Sequence, residues 1–372
     1  MPGWHAATRE FEADGRLLNV GLIQEQHPDR ARLYLQWQGI EWPIMIDSLN
    51  RLDVNAVPIT LLIDENGVIR QRVGRGDIRE IVEEFLAEPA PEPLARNEAA
   101  SGRDPAVWGD LEQRDAVIEA LEERLAADRG DGRAAFELGV HYRRRYDESE
   151  SDPLDFERAV ERWGQALAID PNQYIWRRRI QQYGPRLEKP YPFYDWVPTA
   201  RERIRARGEI AAELIVEPGG AEIARPIRSF DAALPEQGEP DPGGKTLRDD
   251  GKFVVAHATV VPHRVRPGKS ARVHVEFRPR GGKAHWNNEA GGMTLWIDPP
   301  AGWQVDPQRI ERPNPPEQVS DEPRRVEFEI QAPEGAATIE LPVYALYYVC
   351  EGDRGACLYR RQDFGVPVTI AP

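Results

Sequence analysis

Cysteine is nearly missing from this 372-residue chain. There are two, Cys350 and Cys357, so any thiol chemistry it supports must use them. No His-x-His or Cys/His spacing of a metal site occurs, even though His257, His263 and His274 fall on neighbouring strand candidates, and no metal is expected. A Gly-rich phosphate loop, a nucleophile elbow and a paired-carboxylate signature are also absent, which leaves hydrolase and kinase readings without support and implies no cofactor. No run approaches the ~20 consecutive apolar residues of a membrane span. A basic excess is lacking too: 48 Lys and Arg stand against 63 Asp and Glu, a net charge of -15. That balance argues against nucleic acid or an anionic membrane as partner. The runs Arg143 to Arg145 and Arg177 to Arg179 read as solvated helix faces balanced by nearby acids. Met1 is followed at once by Pro, Gly, Trp and His rather than by a basic and then apolar segment, so the chain as given carries no targeting signal.

What is present divides into three patterns, and a chain this long accommodates two to four domains. Residues 1–88 alternate strand and helix signals. Leu17 to Gln24 reads as a buried strand, His27 to Trp37 as a helix, and Pro43 to Asp47 as a short strand. Ile59 to Ile63 and Val68 to Val73 flank the turn Asp64 to Gly67 as an antiparallel hairpin, and Ile78 to Leu86 closes the unit as a helix.

The run WPIMIDSLNRLDVNAVPITLLIDENGVI resembles the thioredoxin-fold redoxins of the TlpA type. The resemblance implies an α/β thioredoxin-like domain in which Pro58, preceded by Val57, is the cis-proline that positions substrate against a redox dithiol. Those redoxins carry Cys-x-x-Cys at a helix start just before this point. Here MPGWHAATREFEADGR resembles the end of that helix, so the first strand and the dithiol lie upstream of Met1 or are lost. The strands at Leu17 to Gln24 and Ile59 to Ile63 would then pair directly, accept a donated strand, or leave an open slot between unpaired edges.

Residues 89–105 are rich in Pro, Ala and Glu without apolar period, a linker. The region 106–208 is helical, with spans predicted at Asp110 to Asp128, Gly132 to Tyr146, Asp155 to Ile169, Tyr174 to Gln182 and Thr199 to Arg207. Leu138, Gly139, Tyr142, Ala159, Trp163, Ala166 and Pro171 resemble one tetratricopeptide repeat (TPR). The TPR-like region is either a helical spacer or a peptide-binding groove.

From residue 209 to 372 the period becomes two. Strand candidates are Leu214 to Val216, Phe253 to Val261, Ala271 to Arg278, Met293 to Ile297, Arg325 to Ile330, Thr338 to Tyr348 and Leu358 to Ile370, and these fit an all-β immunoglobulin-like sandwich. The loop Arg225 to Gly251 is long and Pro/Gly rich. KAHWNNE (Lys283 to Glu289) reads as a loop whose Trp packs.

Leu341 to Val349, the turn Glu351 to Gly355 and Leu358 onward form a β-hairpin that sets Cys350 opposite Cys357. Opposed residues lie roughly 4.5–5.5 Å apart at Cα, inside the roughly 4.4–6.8 Å window of a disulfide. The residues themselves leave three readings open: a structural staple, a cycling dithiol, or two unrelated free thiols. The hairpin spacing leans toward an oxidising compartment.

GGMTLWIDPPAGWQV, the following ERPNPPE and the cysteine hairpin resemble the N-terminal periplasmic domain of the thiol:disulfide interchange protein DsbD. That resemblance implies that Cys350 and Cys357 exchange electrons with a thiol or disulfide on a partner protein, in an extracytoplasmic (periplasmic) setting if a signal peptide lies upstream. The expectation is therefore a multidomain thiol-disulfide exchange protein. The alternative is a non-catalytic protein-binding scaffold with a degenerate thioredoxin-like domain and a structural disulfide.

Overall fold

The alternation that begins at Val254 has to bury every second residue, and in the computed structural model it does so between two antiparallel sheets. Residues 2–89, 92, 111–148, 152–224, 238–352 and 355–371 are described. The expected linker 89–105 therefore lies almost wholly outside them, as do 225–237 of the expected long loop and 353–354 of the hairpin turn.

The described residues form two compact units, and the chain mixes α and β structure. One unit falls within Met1–Glu137, Ile169–Arg177 and Asp195–Glu217. The other falls within Leu138–Ala168, Arg178–Tyr194 and Pro218–Pro372. The helical stretch 106–208 contributes to both.

In the first unit, α1 (Pro2–Ala13) precedes β1 (Gly21–Ile23), α2 (Asp29–Gln38), β2 (Ile44–Ile46), β3 (Leu61–Ile63), β4 (Ile69–Arg72) and α3 (Ile78–Ala87). The turn between β3 and β4 follows from its residues. The Asp64 carboxylate accepts from the backbone N–H of Asn66 and of Val68, both at 3.0 Å, and Gly67 takes φ 78°. Asp77 caps α3 by accepting from the N–H groups of Arg79 and Glu80. Phe11, Leu62 and Val82 make the core here. β1 pairs in parallel with β2, and β3 pairs with β4. Among the described residues β1 and β3 do not pair with each other, so direct pairing of these two strands is not the arrangement found.

The unit also holds α4 (Leu111–Ala127), the start of α5 (Gly132–Tyr146), α7 (Tyr174–Gln181) and α8 (Val197–Ala206). α2 meets α8 through Trp37 and Trp196, whose rings stack 5.7 Å apart. Leu214 to Val216 is not the strand its pattern suggested. The Ile215 N–H donates to the Asp29 carboxylate and the Arg30 guanidinium donates to the Val216 carbonyl, so side chains take the bonds a neighbouring strand would have made.

In the second unit one sheet runs β5 (Val254–Val261), β6 (Ser270–Pro279), β12 (Arg324–Gln331), β9 (Gln304–Asp306). The other runs β10 (Arg309–Arg312), β8 (Met293–Ile297), β13 (Ile339–Glu351), β7 (Ala284–Asn287), β11 (Val319–Ser320), with β14 (Cys357–Val368) along the far side of β13. Both sheets contribute to one core that includes Val273, Phe277, Phe328, Trp286, Leu295 and Tyr347. KAHWNNE is thus largely strand rather than loop. Trp286 turns fully inward and its indole N–H donates to the Glu322 carbonyl.

The end of α5 and α6 (Asp155–Ile169) belong to this unit as well. Leu138, Tyr142, Ala159, Trp163 and Ala166 are all buried in packing. Arg143 is not on a solvated face. It is 3% exposed, paired with Asp147 at 3.0 Å, and its guanidinium lies over the rings of Phe156, Tyr183 and Tyr146 at 4.2, 4.5 and 4.9 Å. Arg145 bonds the fully buried Asp155, and Arg179 is buried too. Aromatic rings and carboxylates supply what water would otherwise give Arg143 and Arg145.

Candidate disulfide site

β13 and β14 pair over their whole length, from Ile339 opposite Val368 to Cys350 opposite Cys357. The reason they hold that register is the face pattern. Leu341, Val343, Ala345, Tyr347 and Val349 point to the core, so Tyr344, Leu346, Tyr348 and Cys350 must take the other face. The Glu351 N–H donates to the Ala356 carbonyl at 3.1 Å, which makes Glu351 and Ala356 the hydrogen-bonded pair and leaves Cys350 and Cys357 as the closer, non-bonded one. Their Cα atoms are 3.9 Å apart and the sulfurs are joined as a disulfide. Two free thiols are thereby ruled out as the state seen here.

The two sulfurs differ in access. Cys350 is 3% exposed, whereas Cys357 is exposed and lies on β14, which among the described residues pairs with no strand other than β13 and is bridged farther along, at Arg361, to Arg248. Around them, the rings of Tyr348 and Tyr359 lie 4.6 Å apart, and burial pushes the Tyr359 hydroxyl up in pKa. Lys252 and Glu351 form an exposed ion pair at 3.4 Å. On its other side Cys350 stands opposite His285 of β7. The sequence pattern alone does not show this neighbour, because KAHWNNE reads as loop; the alternation of Ala284 and Trp286 with the polar residues between them is the signal it carries.

Farther along the same face, Trp296, Tyr344, Arg361, Asp363 and Glu239 line a cavity of about 490 Å³. Its cation is already engaged, since Arg361 pairs with Asp241 at 3.0 Å and with Asp363 at 2.7 Å.

The other expected site residues, Val57 and Pro58, belong to the first unit, and the bond between them is cis, as are Val261–Pro262 and Asp306–Pro307. Among the described residues no group of His, Cys, Asp and Glu is arranged to hold a metal ion. His274 instead bonds the Glu327 carboxylate and the Tyr183 carbonyl, both at 2.8 Å. No described helix is long and apolar enough to cross a membrane.

No protein-family model matches the chain, and no curated protein matches it in sequence. Among solved structures it is similar to the GAE domain of yeast GGA1, at 7% identity over 31% of this chain and 92% of that one, with a TM-score of 0.19. AvmM, which catalyses macrocyclization in alchivemycin A biosynthesis, is 17% identical over 35% of this chain and 94% of that one, with a TM-score of 0.20. The FixG-related protein of Vibrio parahaemolyticus is 6% identical over 30% of this chain and 94% of that one, with a TM-score of 0.15. Likenesses this slight assign neither a fold family nor a functional residue to the chain.

Proposed function

We propose that this is a thiol-disulfide exchange protein in which Cys350 and Cys357 alternate between disulfide and dithiol. The observation that carries the reading is the unequal access of the two sulfurs. A visiting thiolate reaches the Cys357 sulfur, forms a mixed disulfide there, and expels Cys350 as the leaving thiolate. Closing an eight-residue ring stabilises by only about 2.5 kcal/mol in the chain-entropy view, a small gain for a unit whose core is shared by two sheets.

The finer fold assignments belong to the same reading: a thioredoxin-like domain in 1–88, a TPR-like region in 106–208, and a DsbD-like immunoglobulin-type sandwich in 209–372. The partner is then a protein bearing a thiol or disulfide, met in an extracytoplasmic compartment.

Equilibration with a reduced protein dithiol such as thioredoxin tests the reading. A midpoint well above roughly -300 mV supports cycling, and a bond that resists reduction defeats it. The rival, a protein-binding scaffold with a structural disulfide, draws on the near-complete burial of Cys350, and predicts the second result.

A further inference from the structure

Cys350 has an opposed residue on each side. β14 sets Cys357 across from it, and β7 sets His285 across from it. Directly opposed residues of antiparallel strands project from the same face, so Cys357, Cys350 and His285 form one row over three strands. The Gly352 N–H donates to the Lys283 carbonyl at 2.9 Å. Bonded pairs alternate, so Cys350 and His285 are a bonded pair with Cα atoms about 5.5 Å apart, close enough for an imidazole to approach the sulfur. On the other side of β7, β11 ends at Ser320, which stands opposite Trp286.

We propose that His285 exchanges a proton with the Cys350 sulfur as the disulfide opens and closes. The proposal rests on the exchange reading above. In opening, a partner thiolate attacks the Cys357 sulfur. The new S–S bond forms there as the Cys350–Cys357 bond breaks, and its electron pair stays on Cys350. The His285 imidazolium gives its proton to that thiolate, leaving a neutral thiol and a neutral imidazole. In closing, the imidazole takes the proton back, the Cys350 thiolate attacks Cys357 of the mixed disulfide, and the partner leaves as its thiolate.

An imidazole suits this work because its ordinary pKa, about 6.5, falls where both forms are populated near neutrality. On the face that carries this row the nearest charged or titratable side chains of β13 and β14 are Tyr348, Tyr359 and Arg361, with Lys283 just before β7, while Glu351 is the next residue of β13 and Asp321 follows β11. Glu351 pairs with Lys252, and Arg361 with Asp241 and Asp363.

The test uses the full chain and a small dithiol, dithiothreitol, so it does not require the natural partner. Disulfide opening is followed from pH 5 to pH 9 at matched dithiothreitol thiolate concentration, and Cys350 alkylation by iodoacetamide is followed after reduction. For His285→Gln, opening at pH 6 should slow about tenfold, the lower end of what a positioned acid supplies, while rates at pH 9 match the parent. Cys350 alkylation should need a pH about one unit higher, since losing a nearby imidazolium raises a thiol's pKa. His285→Asn should move both profiles in the same direction and keeps the test alive if His285→Gln fails to fold. Profiles identical to the parent in both variants overturn the inference. Failure to react with any protein dithiol, together with a dithiothreitol profile that still depends on His285, would instead defeat the exchange reading while supporting the coupling of His285 to Cys350.

Discussion

Gly139 of α5 lies so close to Trp163 of α6 that a methyl group on its Cα would overlap the indole ring. The ring has nowhere to go: Trp163 is fully buried and stacks on Tyr183 with 5.7 Å between centroids and 2° between planes. Glycine is therefore required here by close approach, not by backbone conformation. Gly139→Ala should destabilise by about 1–3 kcal/mol, as overpacking does. Gly164, on the same helix as Trp163, has nothing within 4 Å of an added Cβ. Gly164→Ala should stabilise by up to about 1 kcal/mol through helix propensity. Urea unfolding of the two variants reads the contrast directly.

Arg143 makes a second demand on the same layer. Removing it leaves Asp147 half-sheltered without its ion pair and empties the space among three rings. Arg143→Ala should lose about 3 kcal/mol or more, the range for breaking a buried pair from one side. Arg143→Lys should recover part of that, because the charge remains but the planar stacking does not. Thermal unfolding of both variants, compared with the parent, is the check.

Glu276 predicts how the second unit responds to acid. Burial alone would raise its carboxyl pKa, but hydrogen bonds from Arg278, Arg325 and Tyr146 outweigh that and hold it below the ordinary carboxylate value. A depressed folded pKa means the contribution to stability is complete above the unfolded value, about 4.3, and is lost as pH falls from there through the folded value. Glu276→Gln should destabilise by about 2 kcal/mol at pH 7, the scale of a charge-assisted hydrogen bond. Below pH 4 the difference between variant and parent should shrink. An unchanged difference across that window would remove Glu276 from the account.

Much of this layer was not legible in the sequence, and the reasons are physical. α5 and α6 were legible to the residue, because a helix that buries one stripe writes a 3.6 period. β8 was equally plain. β7, β9, β10 and β11 are two to four residues long, too short for alternation to stand out, so both the full extent of the sheets and the neighbour of Cys350 stayed hidden. Leu214 to Val216 has a strand's composition but gives its backbone bonds to side chains. The run Arg143 to Arg145 looks the same whether it faces water or aromatic rings, since only the tertiary partners tell the two apart. The pairing of Cys350 with Cys357 was legible, because a hairpin fixes both ends at once.

The thiols themselves should be unequal. After reduction, iodoacetamide should modify Cys357 at least about tenfold faster than Cys350, since a buried thiol presents little surface to the reagent. Peptide mass spectrometry after timed quenching measures the ratio. Equal rates would mean that this end of the hairpin opens freely once the bond is gone.

β13 carries neighbours along both of its sides, β14 over its whole length and then β8 at Val343–Leu346 and β7 at Val349–Glu351 on the other. Its amide protons should consequently be the slowest in the unit to exchange with deuterium, while those at the outer rims of the sheet go first. Cys350 thus rides on the strand that opens last, and Cys357 is the first residue of a strand whose one full-length partner among the described residues is β13, so the covalent link ties the most protected backbone of the unit to backbone that fluctuates earlier.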